Sequence, residues 1–160
     1  MVFLNINKII LLVMFSSLSF GQTIRQEKMN NLKFLVGDWV GISTSYENEK
    51  VKRQVSASEK IKYSLDGHII TIDLHSETLQ LHTVIYYDEK EDTYYYNPFY
   101  KNGAAKYKAE FLDNKLIVKP SETRRFVFTL DKSGNFNEYG ENLVNGKWIK
   151  YFEDIFEKKN

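Results

Sequence analysis

The 160-residue chain has no cysteine, only two prolines and eight glycines, and no excess charge of either sign. Without cysteine there are no disulfides, no thiolate metal site, no thiol nucleophile and no lipid anchor through a modified Cys. No Asn-x-Ser/Thr acceptor occurs, so N-glycosylation has no site. No histidine lies beyond His82. There is no Gly-x-Ser-x-Gly elbow and no glycine-rich phosphate loop. The balanced charge argues against binding a phosphate backbone, which calls for a basic stripe, and leaves no polybasic patch for anionic lipid. Nucleic acid is therefore not an expected partner.

What is present begins with a leader. Lys8 is the only charge before Arg25, Ile9 to Phe15 is unbroken apolar sequence, and Ser19-Phe20-Gly21 supplies small residues where a signal peptidase reads. The apolar stretch ends at Phe20, short of the about 20 residues a membrane-spanning helix needs. The expectation is a signal peptide over residues 1–21, cleaved near Gly21, and a periplasmic or secreted protein with no transmembrane segment in its mature part. Removing 21 of 160 residues leaves 139, the size of one domain. A chain near that length buries roughly 68–70% of its unfolded surface, so it needs no covalent staples. Taking Lys8 from the 22 Lys and Arg leaves 21, matching 21 Asp and Glu.

From Trp39 onward, short runs of β-favouring residues alternate with turn chemistry. The expected strands are Trp39–Tyr46, Val51–Leu65, His68–Ser76, Leu79–Tyr87, Thr93–Tyr100, Ala104–Leu112, Lys115–Lys119, Arg124–Leu130, Phe136–Val144 and Lys147–Phe156. Asp66-Gly67 and Asn145-Gly146 are strong hairpin signals, because both central turn positions want positive φ. Only Met29–Leu35 reads as a short helix or turn. Period-two patterning assigns faces. A turn at Glu77-Thr78 sets Ile70, Ile72 and Leu74 opposite Ile85, Thr83 and Leu81. A turn at Asp113-Asn114 sets Phe111 and Ala109 opposite Leu116 and Val118. In Ala104–Leu112, Ala105, Tyr107, Ala109 and Phe111 face in while Lys106, Lys108 and Glu110 face out. One apolar face continued through so many hairpins, with no helix to cover it, must curl onto itself. The expected fold is an all-β, antiparallel up-and-down barrel of about 8–10 strands, which also removes exposed sheet edges. A two-sheet sandwich is the alternative on pattern alone.

The segment Leu32 to Gly41, with Gly37-Asp38-Trp39-Val40-Gly41 at its end, resembles the opening signature of the lipocalin-like (calycin) barrels. It particularly resembles small exported bacterial members that open Leu-x-Gly-x-Trp-x-Gly. The resemblance implies that Trp39 closes one barrel end beneath a cation from the last strands, for which Arg124, Arg125 and Lys150 are available. It also implies a small hydrophobic or amphipathic ligand held inside. The nitrobindin-like haem barrels open similarly but use a late-strand His, which this chain lacks, so no cofactor is expected. Fatty-acid-binding barrels hold a carboxylate with late Arg and Tyr side chains, and Arg124, Arg125 and Tyr139 lie in suitable strands.

Several side chains invite a chemical reading. His68, His75 and His82 are spaced by seven, but His68 and His75 fall on opposite faces of one strand. Without convergence a metal site is not expected; His82 instead pairs across strands with Asp73. The run Thr93 to Tyr100 packs four tyrosines beside Phe99. Either it is an ordinary half-buried strand or alternate rings line a cavity whose mouth lies where Pro98 interrupts pairing. In the late strands, a four-residue turn at Asp131–Gly134 pairs Arg124 with Glu141, Phe126 with Tyr139 and Phe128 with Asn137. The turn at Asn145-Gly146 pairs Glu141 with Lys150. Arg124, Glu141 and Lys150 then form an inward cation–anion–cation row, either closing a barrel end or orienting a ligand carboxylate. The expected ligand contacts are Trp39, Tyr95, Phe99, Tyr107, Arg124, Phe126, Tyr139, Glu141 and Lys150. No nucleophile constellation emerges, so a binding protein rather than an enzyme is expected. The alternative is a barrel filled by its own rings that serves as an envelope-associated interaction module.

Overall fold

The computed structural model describes residues 23–159; the expected leader lies outside them. The chain opens with helix α1, Ile24–Asn30, and a 3-10 turn, Lys33–Leu35. Thr23 caps α1: its hydroxyl accepts from the Gln26 amide at 3.2 Å while the Gln26 side chain accepts from the Thr23 amide at 3.1 Å. The helix therefore starts earlier than the expected Met29–Leu35 segment, on a capping box.

Eleven strands follow: β1 Gly37–Glu47, β2 Lys50–Ser64, β3 Ile69–Ser76, β4 Gln80–Asp88, β5 Thr93–Tyr100, β6 Gly103–Ala104, β7 Tyr107–Leu112, β8 Lys115–Ser121, β9 Arg124–Leu130, β10 Phe136–Val144 and β11 Lys147–Lys158. β6 is a two-residue bridge beside β5; the other ten strands are the staves of a barrel. Each stave pairs antiparallel with its chain neighbours, and the circle closes through β1 with β11, Trp39 opposite Lys158 through Ser45 opposite Phe152. A two-sheet sandwich is thereby excluded. Closure needs close approach at one point of the seam: a Cβ on Gly41 would lie 1.9 Å from the Ile155 carbonyl oxygen.

Three two-residue turns, Asn48-Glu49, Asp113-Asn114 and Asn145-Gly146, have positive φ at both positions, as type I′ hairpins require. The expected registers hold from β3 to β4 and from β7 to β8: Leu74 faces Leu81, Ile72 faces Thr83, Ile70 faces Ile85 and Ala109 faces Val118. The β9–β10 register does not hold. Its loop is five residues, Asp131 to Asn135, because the Asp131 carboxylate accepts from the Ser133 amide at 2.8 Å and the Asn135 amide at 2.9 Å. Phe126 therefore faces Gly140, Phe128 faces Glu138 and Arg124 faces Asn142. Every β10 side chain thus falls on the opposite face from the expected one.

One barrel end is plugged. Met29, Leu32 and Leu35 are fully buried there against Trp39, Phe128, Phe136 and Phe156. The Trp39 indole donates to the Leu35 carbonyl at 2.7 Å, fixing the 3-10 turn beneath the staves. As the resemblance implies, a cation from the last strand lies over the Trp39 ring. It is Lys158, 5.8 Å from the ring centroid, and not Arg124, Arg125 or Lys150. Two tyrosines tie α1 down: Tyr94 donates to the Lys28 carbonyl at 2.7 Å and Tyr63 to the Met29 carbonyl at 3.2 Å.

Candidate functional site

Above the plug the barrel interior changes character. The lower layer is filled by stacked rings, with Phe136 lying 6.3 Å from Phe128 and 5.8 Å from Phe156. The next layer is polar. β2 contributes Glu59, β10 contributes Glu138 and β11 contributes Asp154, all buried at 2%, 7% and 4% exposure. The barrel ladder brings them together: Glu138 is directly opposite Asp154, and Asp154 is opposite Ser43 on β1. Thr83 and Tyr96 complete this layer, both buried, with hydroxyls 3.5 Å apart.

Over this floor lies a cavity of about 360 Å3 that opens at the end of the barrel away from α1. Ser43, Tyr96, Glu138 and Asp154 form its base; Ala57, Leu74, Leu81, Phe126 and Phe152 form its walls; Tyr100, Tyr151 and Arg124 stand at the rim. A β-bulge shapes one side. Between Glu141 opposite Lys150 and Gly140 opposite Phe152, Tyr151 is the extra residue, which turns its ring toward the mouth beside Phe152. Gly140 makes room for both rings, since a Cβ there would lie 2.3 Å from Phe152 and 2.6 Å from Tyr151.

The electrostatics of the floor are unusual for a barrel interior. Both Glu59 oxygens and Asp154 Oδ1 have no hydrogen-bond partner among the described residues. Burial pushes Glu59 up to about 8, with the neighbouring Glu138 carboxyl opposing the shift and the charge of Asp154 adding to it. Burial, then the neighbouring Glu59 and Asp154 charges, holds Glu138 well above the usual carboxylate range. Asp154 rises to about 6 through burial, partly offset by a hydrogen bond from Ser43. Glu59 and Glu138 therefore keep their protons at a pH where ordinary carboxyls have lost them. Asp154 is the member that ionises first.

The residues expected to contact ligand divide into three groups. Phe126 lines the cavity, Tyr107 packs edge-on against it at 6.3 Å, and Arg124 stands at the rim. Trp39 is part of the plug. Tyr95, Phe99, Tyr139, Glu141 and Lys150 lie outside the cavity. Tyr95 sits on the outer face under Lys106, 3.7 Å from the ring, and donates to Glu91 at 2.6 Å. Phe99 is 47% exposed beside His82.

The inward cation–anion–cation row is overturned. Glu141 pairs on the outer face with Arg125 at 2.7 Å, and Lys150 pairs with Glu153 at 2.6 Å while lying 4.4 Å from the Tyr139 ring. Arg124 instead donates to Asn142 at 3.1 Å and stacks on Tyr151 at 4.9 Å. His82 and Asp73 do pair, at 2.6 Å, on the outer face.

The three acids went unnoticed in the sequence. The signal for two of them was there: Glu59 shares the parity of Ala57 and Ile61, and Asp154 that of Phe152 and Phe156. Glu138 was hidden by the misread β9–β10 loop. Neither the known protein-family models nor the curated proteins contain a match to this chain.

Proposed function

We propose that this chain is an exported lipocalin-like carrier that holds a small hydrophobic or amphipathic molecule in the open half of its barrel, and that it binds rather than transforms its guest. The observation that carries this reading is the cavity of about 360 Å3, walled by Leu74, Leu81, Phe126 and Phe152 and open at one end only. Ligand pockets of a few hundred Å3 with mostly apolar linings and a few convergent polar groups are the usual form of small-molecule sites. Apolar ligand surface leaving water contributes about 25 cal/mol per Å2, so burying about 300 Å2 gives roughly 7 kcal/mol before the entropy of association is subtracted. The plugged lower half supplies rigidity, and the guest is held above it.

The test is uptake of a neutral apolar fluorophore such as N-phenyl-1-naphthylamine. The protein is expected to bind it with a blue-shifted, saturable signal at one site per chain. Ala57→Phe, which places a ring into the cavity wall, is expected to weaken that uptake at least tenfold. Equal uptake by the two proteins would place the fluorophore elsewhere and remove the support for this reading.

A further inference from the structure

Two buried carboxyls, Glu138 and Asp154, line the floor of one cavity and a third, Glu59, is buried beneath them; this calls for an explanation, since a buried charge is costly unless it is paired. Among the described residues none of Glu59, Glu138 and Asp154 forms an ion pair, and Arg124 at the rim is the one cation lining the cavity. Arg124 does not reach down to neutralise them, because its guanidinium is held at the mouth by Asn142 at 3.1 Å and by the Tyr151 ring at 4.9 Å. The acids are therefore donor-poor: Asp154 Oδ1 and both Glu59 oxygens are more than nine-tenths buried and lack N–H partners. Beside the acids in the base lies the Tyr96 ring, and above stand Tyr100, Phe126, Tyr151 and Phe152. Ring faces attract cations, by about 0.5–2 kcal/mol each as water is excluded.

Resting on the reading that the cavity holds a small molecule, we propose that its guest is an organic cation, an alkyl- or arylamine that enters ammonium end first. The ammonium lies against Asp154 and Glu138 inside the ring of aromatic side chains, and the apolar tail points to the mouth. This arrangement supplies the N–H donors that the floor lacks and pairs the charge of Asp154. A fatty carboxylate fits badly, since its head would be a fourth acid on the same floor.

A pH signature accompanies the proposal. The titratable and charged groups lining the cavity are Tyr96 and Tyr100 from β5, Arg124 from β9, Glu138 from β10, and Asp154 and Tyr151 from β11, with Glu59 from β2 buried beneath them. Of these, the tyrosines are held above their ordinary value by burial, so only the carboxyls exchange protons near neutrality. Burial raises Asp154 to about 6 and holds Glu59 and Glu138 higher still, so the ammonium pairs with Asp154 as that carboxyl gives up its proton while the other two keep theirs. Amine affinity should therefore rise from pH 6 to pH 8 with proton release, while affinity for a neutral analogue stays level.

The experiment is competition against the neutral fluorophore by an eight-carbon series, namely octylamine, octanol and octanoate, backed by direct calorimetry of octylamine. At pH 7.5 octylamine is expected to compete at least tenfold better than octanol, and octanoate worst. In Asp154→Asn and in Glu138→Gln the octylamine-to-octanol ratio should fall to within about threefold of unity. Circular dichroism of each variant confirms the fold. Fluorophore uptake with no preference for octylamine overturns the amine proposal and leaves the carrier reading standing. A preference for octanoate overturns it too and makes Arg124 the head-group anchor. Binding of neither fluorophore nor octylamine overturns both.

Discussion

Replacing Glu59 with Gln should stabilise this protein in neutral and mildly alkaline solution while changing it little near pH 5. The side chain is fully enclosed beneath the cavity floor, and burial raises it from an ordinary 4.5 to about 8. The folded state therefore holds a proton that the unfolded chain gives up above pH 4.5. The stability linked to that proton is present below pH 4.5 and is lost as pH rises through about 8. At about 1.4 kcal/mol per pKa unit the whole gap is worth about 5 kcal/mol, most of which falls between pH 5 and pH 8. For a domain of this size that is a Tm decline of about 10 °C.

Gln keeps the shape, cannot ionise, and offers an N–H to Glu138. The decline should shrink by about half but not vanish, because Glu138 and Asp154 remain raised by burial. On the acid side the trend reverses. Backbone donors from the Asn135 turn hold Asp131 below its ordinary range, so its contribution is present above about pH 4 and lost below it. The stability optimum is therefore expected near pH 5. Thermal unfolding followed by circular dichroism at pH 5, 6, 7 and 8, on both proteins, measures the slopes. A wild-type Tm that is level across this range, or a Glu59→Gln protein that melts lower than wild type at pH 8, would refute the reasoning.

Two further substitutions probe the frame that holds the site. Gly41→Ala forces a methyl to within 1.9 Å of the Ile155 backbone oxygen at the closing seam, so it should destabilise by about 3 kcal/mol in urea unfolding. Gly103→Ala, with nothing within 4 Å, is its control and should melt like wild type; equal midpoints for the two would discount the tight seam. Tyr94→Phe removes the 2.7 Å bond to the Lys28 carbonyl that ties α1 to the barrel and should cost about 1 kcal/mol. Hydrogen exchange at the Leu32 and Leu35 amides should quicken about fivefold, and unchanged exchange there would show that the plug does not depend on this tie.

Most of the frame could be read from residues close together in the chain. Alternating side chains have a period of two, so Ile70, Ile72 and Leu74 against Leu81, Thr83 and Ile85 define both the face and the register once the intervening turn is two residues long. Short type I′ turns at Asp113-Asn114 and Asn145-Gly146 are likewise local, and a single apolar face with no covering helix leaves closure as the way to bury it. That Trp39 plugs one end came from the resemblance carried by Leu32 to Gly41 and not from periodicity.

The site depended on contacts that local pattern does not encode. The Asp131 carboxylate organises a five-residue loop, and that one extra residue exchanges the faces of Glu138 and Tyr139. The bulge at Tyr151 then separates the outward pairs of Glu141 and Lys150 from the inward Phe152 and Asp154. Glu138 and Asp154 face each other across the β10–β11 hairpin, but Glu59 on β2 joins them only when the first and last staves close the circle. A carboxyl in sequence carries no mark of how much water it will keep, so the acid floor exists only as a property of the folded barrel.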